Sequence, residues 1–244
     1  MTTHDGGPAR VRVPPEDHHD HRDVTGGWLR PAVFGVMDGL VSNTALIAGV
    51  AGGGAAPRAV ALAGLAGLIA GAFSMATGEY VSVSSQTELT RAEIEVEKSE
   101  IRRVPEAEQA ELAAVYRSRG VDEVTAAEVA RQLSLDPEQA WRVHAREELG
   151  VDPDALPSPW LAAGSSFGAF VLGALVPLVP YLLGVTVLFI PVLLSLIGLF
   201  GAGALVSRFT NRSALYSGSR QLLLGGAAAA LTFGIGSLIG TGIS

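Results

Sequence analysis

Five apolar stretches limit this chain to very few folds. They run from Pro31 to about Val50, from Ala59 to about Ser84, over about 160 to 183, over about 186 to 207, and from Gln221 to about Ile243. Each is close to the ~20 residues that a helix needs to cross a hydrocarbon core. Inside a bilayer every backbone N–H and C=O must find its partner within the protein, so each stretch is expected to be a helix. The expected fold class is all-α, a multi-pass membrane protein with five transmembrane helices. Charge is segregated to match. Residues 88–154 hold 17 Asp or Glu against 9 Lys or Arg, whereas Ala155 to Ser244 contains no acid at all. An acidic aqueous insert therefore separates the second span from the third.

Neither Gly nor Pro occurs between Gly78 and Pro105, so the second span is expected to continue as one helix into water. Pro105 then stands near the start of a helix over 106–119 that Gly120 stops. A third piece covers Asp122 to about Leu133, with Thr125 and Glu128 spaced as a capping box inside it. Asp136 and Pro137 fit an N-cap and first-turn proline for a helix to Leu149, with Gly150 as its stop. About 60 residues make a small bundle with little core of its own, which metal binding or a second copy would support.

Basic residues set the expected orientation. Arg22, Arg30, Arg91, Lys98, Arg208, Arg212 and Arg220 fall on one side and Arg58 alone on the other. The N-terminus, the insert and the basic loop SRFTNRSALYSGSR are thus expected in the cytoplasm, and the C-terminus on the far side. No cleaved signal peptide is expected, and the Ala-, Gly- and Arg-rich composition points to a bacterial cell membrane. Residues 1–27 lack hydrophobic periodicity and read as a disordered tail. It carries His4, His18, His19 and His21; weak metal capture by EDHHDHRD is one reading, a solvated tail the favoured one. The domain reading is tail 1–27, spans one and two within 28–86, a cytoplasmic insert at 87–156, and spans three to five within 157–244.

The chain has no cysteine, which leaves carboxylate, imidazole and thioether as metal ligands. Asp38 is the only acid of the first span, roughly 10 Å in from the cytoplasmic side at 1.5 Å per residue, with Glu79 roughly 8 Å and Met75 roughly 14 Å from the same surface. An isolated charge at mid-membrane costs at least about 2.5 kcal/mol. No Lys, Arg or His lies in the body of any span, so a mobile cation or a proton is the natural partner of Asp38 and Glu79. Met75 and Glu79 share a helix face, and a thioether beside carboxylates suits Fe(II) better than Mg or Ca. The plainer alternative has both acids near the interface and Met75 as a gap filler. In the insert, Glu97 with Glu100, Glu108 with Glu111, and His144 with Glu148 form close pairs on three helices, able to surround one or more divalent metals. The plainer alternative is a solvated acidic face, to which Glu93, Glu95 and Glu147 are assigned. No prosthetic group and no nucleic-acid partner are expected.

The segments FGVMDGLVSNTALIAGV and GLIAGAFSMATGEYVSVSSQTE, the Glu-rich helix after them and HAREELGVD resemble the vacuolar iron transporter family, in its bacterial-type branch. The resemblance covers roughly Arg30 to Ser244. It implies a five-span homodimer that exports ferrous iron, and related ions such as Mn, Co and Zn, from the cytosol in exchange for protons. It implies that Asp38 and Met75 line the ion path at the dimer interface. Asn43, at the end of DGLVSN, is counted with Asp38, Met75 and Glu79 as a pathway residue. The insert ligands implied are Glu97, Glu100, Glu108, Glu111 and a group near HAREEL, here His144 and Glu148. Gly27, Pro31 and Gly67 stand where plant and protist members carry further acids, so proton coupling through those positions does not carry over; Glu79 can take up part of it. His144 stands where some relatives carry a thioether, and Glu148 is the better-matched carboxylate.

Two other classes compete with a proton-coupled exporter. A di-iron carboxylate oxidase would want Glu-x-x-His pairs, but the residue three before His144 is Trp141, so no enzyme is expected. A membrane-anchored metal sensor or scaffold would bind ions in the insert and conduct nothing.

Overall fold

The computed structural model describes residues 27–208 and 212–242, except the side chains of 241 and 242. The tail histidines and Arg22 lie outside the described residues. Among these residues there are eight helices and no strand: α1 (Leu29–Gly52), α2 (Pro57–Arg103), α3 (Pro105–Ser118), α4 (Glu123–Leu133), α5 (Pro137–Glu147), α6 (Pro159–Leu182), α7 (Phe189–Val206) and α8 (Ala214–Gly242). Helices α1, α2, α6, α7 and α8 are long and apolar enough to cross a membrane. The all-α, five-span expectation holds. Helix α2 is one unbroken element of 47 residues, about 70 Å long at 1.5 Å per residue. Its apolar first half belongs to the bundle and its charged second half to the insert.

Local chemistry explains the boundaries. Asp136 caps α5 by accepting the Glu138 N–H at 2.9 Å, and Pro137 follows in the first turn. Gly120 and Gly150, the expected stops, adopt φ of +94° and +66°, a left-handed backbone that Gly enters without steric cost. Two local expectations fail. Asp122, not Thr125, caps α4, accepting from Val124 and Thr125 at 3.2 and 3.1 Å; Glu128 instead binds Arg131 and Gln132 within its own helix. The fifth span starts at Ala214 rather than Gln221, because Ser213 Oγ accepts the Tyr216 N–H at 3.2 Å and starts the helix early. Arg220 is therefore helical, and the basic loop is shorter than expected.

Helix α1 is the centre of the bundle, packed on α2, α6, α7 and α8, while α6 also packs on α2 and α8 on α7. The core joins Ile47, Val60, Leu68, Ala72, Phe170, Ala174, Leu178 and Tyr181. Two glycines let α1 and α6 touch backbone to backbone: a Cβ on Gly39 would collide with the Phe170 carbonyl, and one on Gly173 with the Val36 carbonyl. Small residues at such crossings allow the close van der Waals contact that holds membrane helices together. Tyr80 of α2 packs at a tilt against Trp160 of α6 with centroids 4.7 Å apart. Leu62, Ile69 and Phe73 on α2, and Leu223, Leu231 and Leu238 on α8, face outward. In the insert α5 lies on α2 through Ile94, Trp141 and Ala145, and α3 packs on α4 with Leu112, Ala126 and Ala130 buried.

Candidate metal centre and membrane cavity

Three helices of the insert converge on one point. Glu97 from α2, Glu108 from the first turn of α3 and His144 from α5 each offer a ligand atom, all within 4.8 Å of one another. His144 Nδ1 lies 3.6 Å from Glu97 Oε2, 3.8 Å from Glu108 Oε2 and 2.8 Å from Glu148 Oε1. The side chains are withdrawn from water: His144 is 1% exposed, Glu108 10%, Glu97 12% and Glu148 17%. Even so, Glu97 Oε2, His144 Nδ1 and Glu148 Oε1 are buried with no hydrogen-bond partner, the 2.8 Å pair being misaligned for one. Buried lone pairs that face one another unsatisfied are costly. A divalent cation among them would satisfy all three, and carboxylate with imidazole is a donor set for borderline metals.

The electrostatics agree with that geometry. Burial, then the Glu148 carboxylate, pushes Glu97 up to about 7, with Glu108 and Glu100 adding to the rise and His144 opposing it. Burial, then Glu111, Glu108 and Glu100, pushes Glu148 up to about 7. Glu108 is raised chiefly by burial, against the pull of His144. Without a cation Glu97 and Glu148 therefore hold protons near neutrality, and a metal must displace them.

Of the six insert positions singled out by sequence, the structure gathers Glu97, Glu108, His144 and Glu148. Glu100 is half-buried and Glu111 exposed, close enough to act on the others through charge but outside the tight cluster. Glu93 is exposed and Glu95 pairs with Lys98 at 2.8 Å, as solvated residues do. Glu147 departs from expectation. Its side chain is only 22% exposed, because the Arg119 guanidinium pairs with it and Tyr116 donates to it at 3.4 Å.

A cavity of about 220 Å³ lies between α1, α2 and α6. Asp38, Asn43, Gly67, Met75 and Phe170 line it, together with Ser42 and Ser74. The DG pair divides its labour: Gly39 seats α1 on α6, and Asp38 beside it lines the cavity. Asn43 is 2% exposed. Its Nδ2 donates to the Ala174 carbonyl at 2.7 Å, which fixes the amide and leaves Oδ1 buried without a partner. That oxygen faces α2, since a Cβ on Gly67 would stand 3.1 Å from it. Asp38, Met75 and Asn43 thus share one space. Glu79, half-buried one turn beyond Met75, does not line it. Gly67 lines the cavity, Pro31 is buried, and Gly27 lies against Pro157. Sequence reasoning missed Phe170, whose ring lies against Gly71 and bounds the cavity. A larger cavity of about 670 Å³ between α1 and α8 has Thr232 as its only polar side chain, and that hydroxyl is spent on its own helix.

The sequence profile of the VIT family matches residues 29–237, which include both the cavity and the metal centre. The chain belongs to the VIT family. A vacuolar iron transporter of Acanthamoeba castellanii is 38% identical over 92% of this chain and 84% of its own length. Vacuolar iron transporter 1 of Arabidopsis thaliana is 33% identical over 94% and 96%, and that of Eucalyptus grandis 34% identical over 91% and 91%. The resemblance read from DGLVSN and SMATGEYVS is thereby shown. Membership in a family whose named relatives are transporters also agrees with the expectation that this VIT-family chain is not an enzyme.

Proposed function

We propose that this protein exports ferrous iron from the cytosol across a membrane in exchange for protons, with Mn, Co and Zn as further substrates. One observation carries the reading: α2 is a single unbroken helix that lines the intramembrane cavity with Met75 and the candidate metal centre with Glu97, 22 positions and about 33 Å apart along its axis. The insert centre, with Glu100 and Glu111 on its rim, gathers the ion. Asp38, Asn43 and Met75 pass it across, and Glu79 carries protons. Cation and proton compete for the same oxygens, so exchange follows from shared ligands. The family resemblance, which puts Asp38 and Met75 at a dimer interface, favours a homodimer. The basic loops favour a cytoplasmic insert, and the composition favours a bacterial cell membrane.

The test is Fe(II) uptake by proteoliposomes loaded with a metal-sensitive dye, with and without a pH gradient. Gradient-stimulated flux that vanishes in Asp38→Ala supports the exporter. No flux, alongside retained metal binding by the insert, would move the assignment to a membrane-anchored sensor or scaffold.

A further inference from the structure

Glu108 is held in the metal centre by an element with little else to hold it there. Helix α3 leaves α2 through a single non-helical residue, Val104, at φ −138° and ψ 54°. It packs mainly on α4 and touches α5 sparingly. Glu108 is brought against Glu97 and Glu148 in one buried cluster, where like charges repel one another. Among the described residues, the polar ties from α3 and its cap to α5, other than Glu108 itself, all run to one residue. The Arg119 guanidinium pairs with the Glu147 carboxylate, Arg119 Nη2 donates to the Glu147 carbonyl at 3.3 Å, and Tyr116 donates to Glu147 Oε1 at 3.4 Å. Glu147 is the last residue of α5, and Glu148, the C-cap, follows it directly. A ligand on a helix cap is anchored on one side only, and helix ends fray. Arg119 also sits at the negative end of α5, where a cation is favoured.

We propose that Arg119, Tyr116 and Glu147 form a clamp that closes α3 against the end of α5 and sets the affinity of the metal centre without touching the ion. They are positioning residues: Arg119 and Tyr116 hold Glu147, which fixes the turn bearing His144 and Glu148 opposite Glu108. Outer-shell partners that orient ligands are typically worth about 10- to 100-fold in metal affinity. The clamp rests on the reading of the four-residue cluster as a metal centre.

The experiment titrates Co(II) into the full chain in detergent, read by calorimetry and by the visible absorption of bound Co(II). Glu147→Gln and Arg119→Ala should each weaken binding by about tenfold, and the exchange Arg119→Glu with Glu147→Arg should recover most of it. Single variants that bind like the parent, or an exchange that recovers nothing, would overturn the clamp. His144→Ala separates the two levels: if it too binds like the parent, the metal centre itself is wrong, whereas lost binding there with intact binding in Glu147→Gln removes only the clamp. A second measurement uses the absence of cysteine. Spin labels at Ala110→Cys on α3 and Gln139→Cys on α5, both exposed, should give a narrow metal-free distance distribution that broadens in Glu147→Gln. An unchanged distribution would overturn the clamp even if affinity changed.

Discussion

The candidate metal centre and the membrane cavity draw side chains from the same helix and answer opposite constraints. The centre crowds three carboxylates and an imidazole between α2, α3 and α5, and one chain closes it almost completely. The cavity has one carboxylate, one amide, one thioether and the hydroxyls of Ser42 and Ser74. Beside water, a cluster of acids can take up protons until a metal arrives. In hydrocarbon each further charge costs at least about 2.5 kcal/mol, so neutral donors replace acids. The difference predicts that the centre governs how tightly a metal is gathered and the cavity governs whether it crosses.

Two substitutions separate those roles, and they carry the largest expected effects. Asp38→Ala removes the only acid of the cavity and should reduce proteoliposome flux to the level of empty vesicles while Co(II) binding persists. His144→Ala should do the reverse. Binding should weaken by more than the roughly tenfold expected when an outer-shell partner is lost, with flux recovering at high metal concentration as a raised KM and a nearly unchanged maximal rate. If Asp38→Ala abolished binding by the isolated full chain, or His144→Ala abolished flux at saturating metal, the division between gathering and crossing would collapse.

The next effect in size is on pH. Glu97 and Glu148 have folded pKa values raised to about 7 from an ordinary 4.5. Metal binding requires their protons to leave, so apparent affinity should be level well above pH 7 and fall about tenfold or more between pH 7 and pH 6. The metal-free protein should show the opposite trend. A carboxylate raised on folding binds more protons in the native state than in the unfolded one, so native stability declines as pH rises from about 4.5 through about 7. Thermal unfolding with and without Co(II) across pH 5 to 8 checks both signs. Parallel trends would mean that the acids are not metal ligands.

Hydropathy and spacing revealed the five spans, and Gly120, Gly150 and Asp136 marked ends as expected, because each acts through its own local backbone. Spacing also grouped the insert acids into pairs, but it could not rank members within a pair. A three-residue interval says that Glu97 and Glu100 share a face; it does not say which one reaches α3 and α5. That depends on how far α5 lies against Ile94, a property of helix packing. The Glu147 clamp was hidden for the same reason, since Arg119 and Tyr116 are about 30 positions away and on another helix. Asn43 stood out by its motif alone. Its partner, the Ala174 carbonyl, lies 131 positions along the chain.

Asn43 gives the smallest and sharpest test. Its two ends do different things: Nδ2 ties α1 to α6, and Oδ1 is left without a partner in the cavity. Side-chain hydrogen bonds between membrane helices are worth only about 0.6 kcal/mol on average, and an unsatisfied buried oxygen costs about 1–3 kcal/mol. Asn43→Leu removes both and should leave thermal stability equal to the parent or up to about 2 kcal/mol higher. If the oxygen is a ligand on the path, Fe(II) flux should nonetheless fall several-fold. Asn43→Asp keeps an oxygen and loses the N–H donor, so it should retain more flux than Asn43→Leu despite equal or lower stability. The order of flux separates a ligand from a structural tie. Were Leu to conduct as well as Asn, the oxygen would be a by-product of the bond to Ala174, and the path would rest on Asp38, Met75 and the hydroxyls of Ser42 and Ser74.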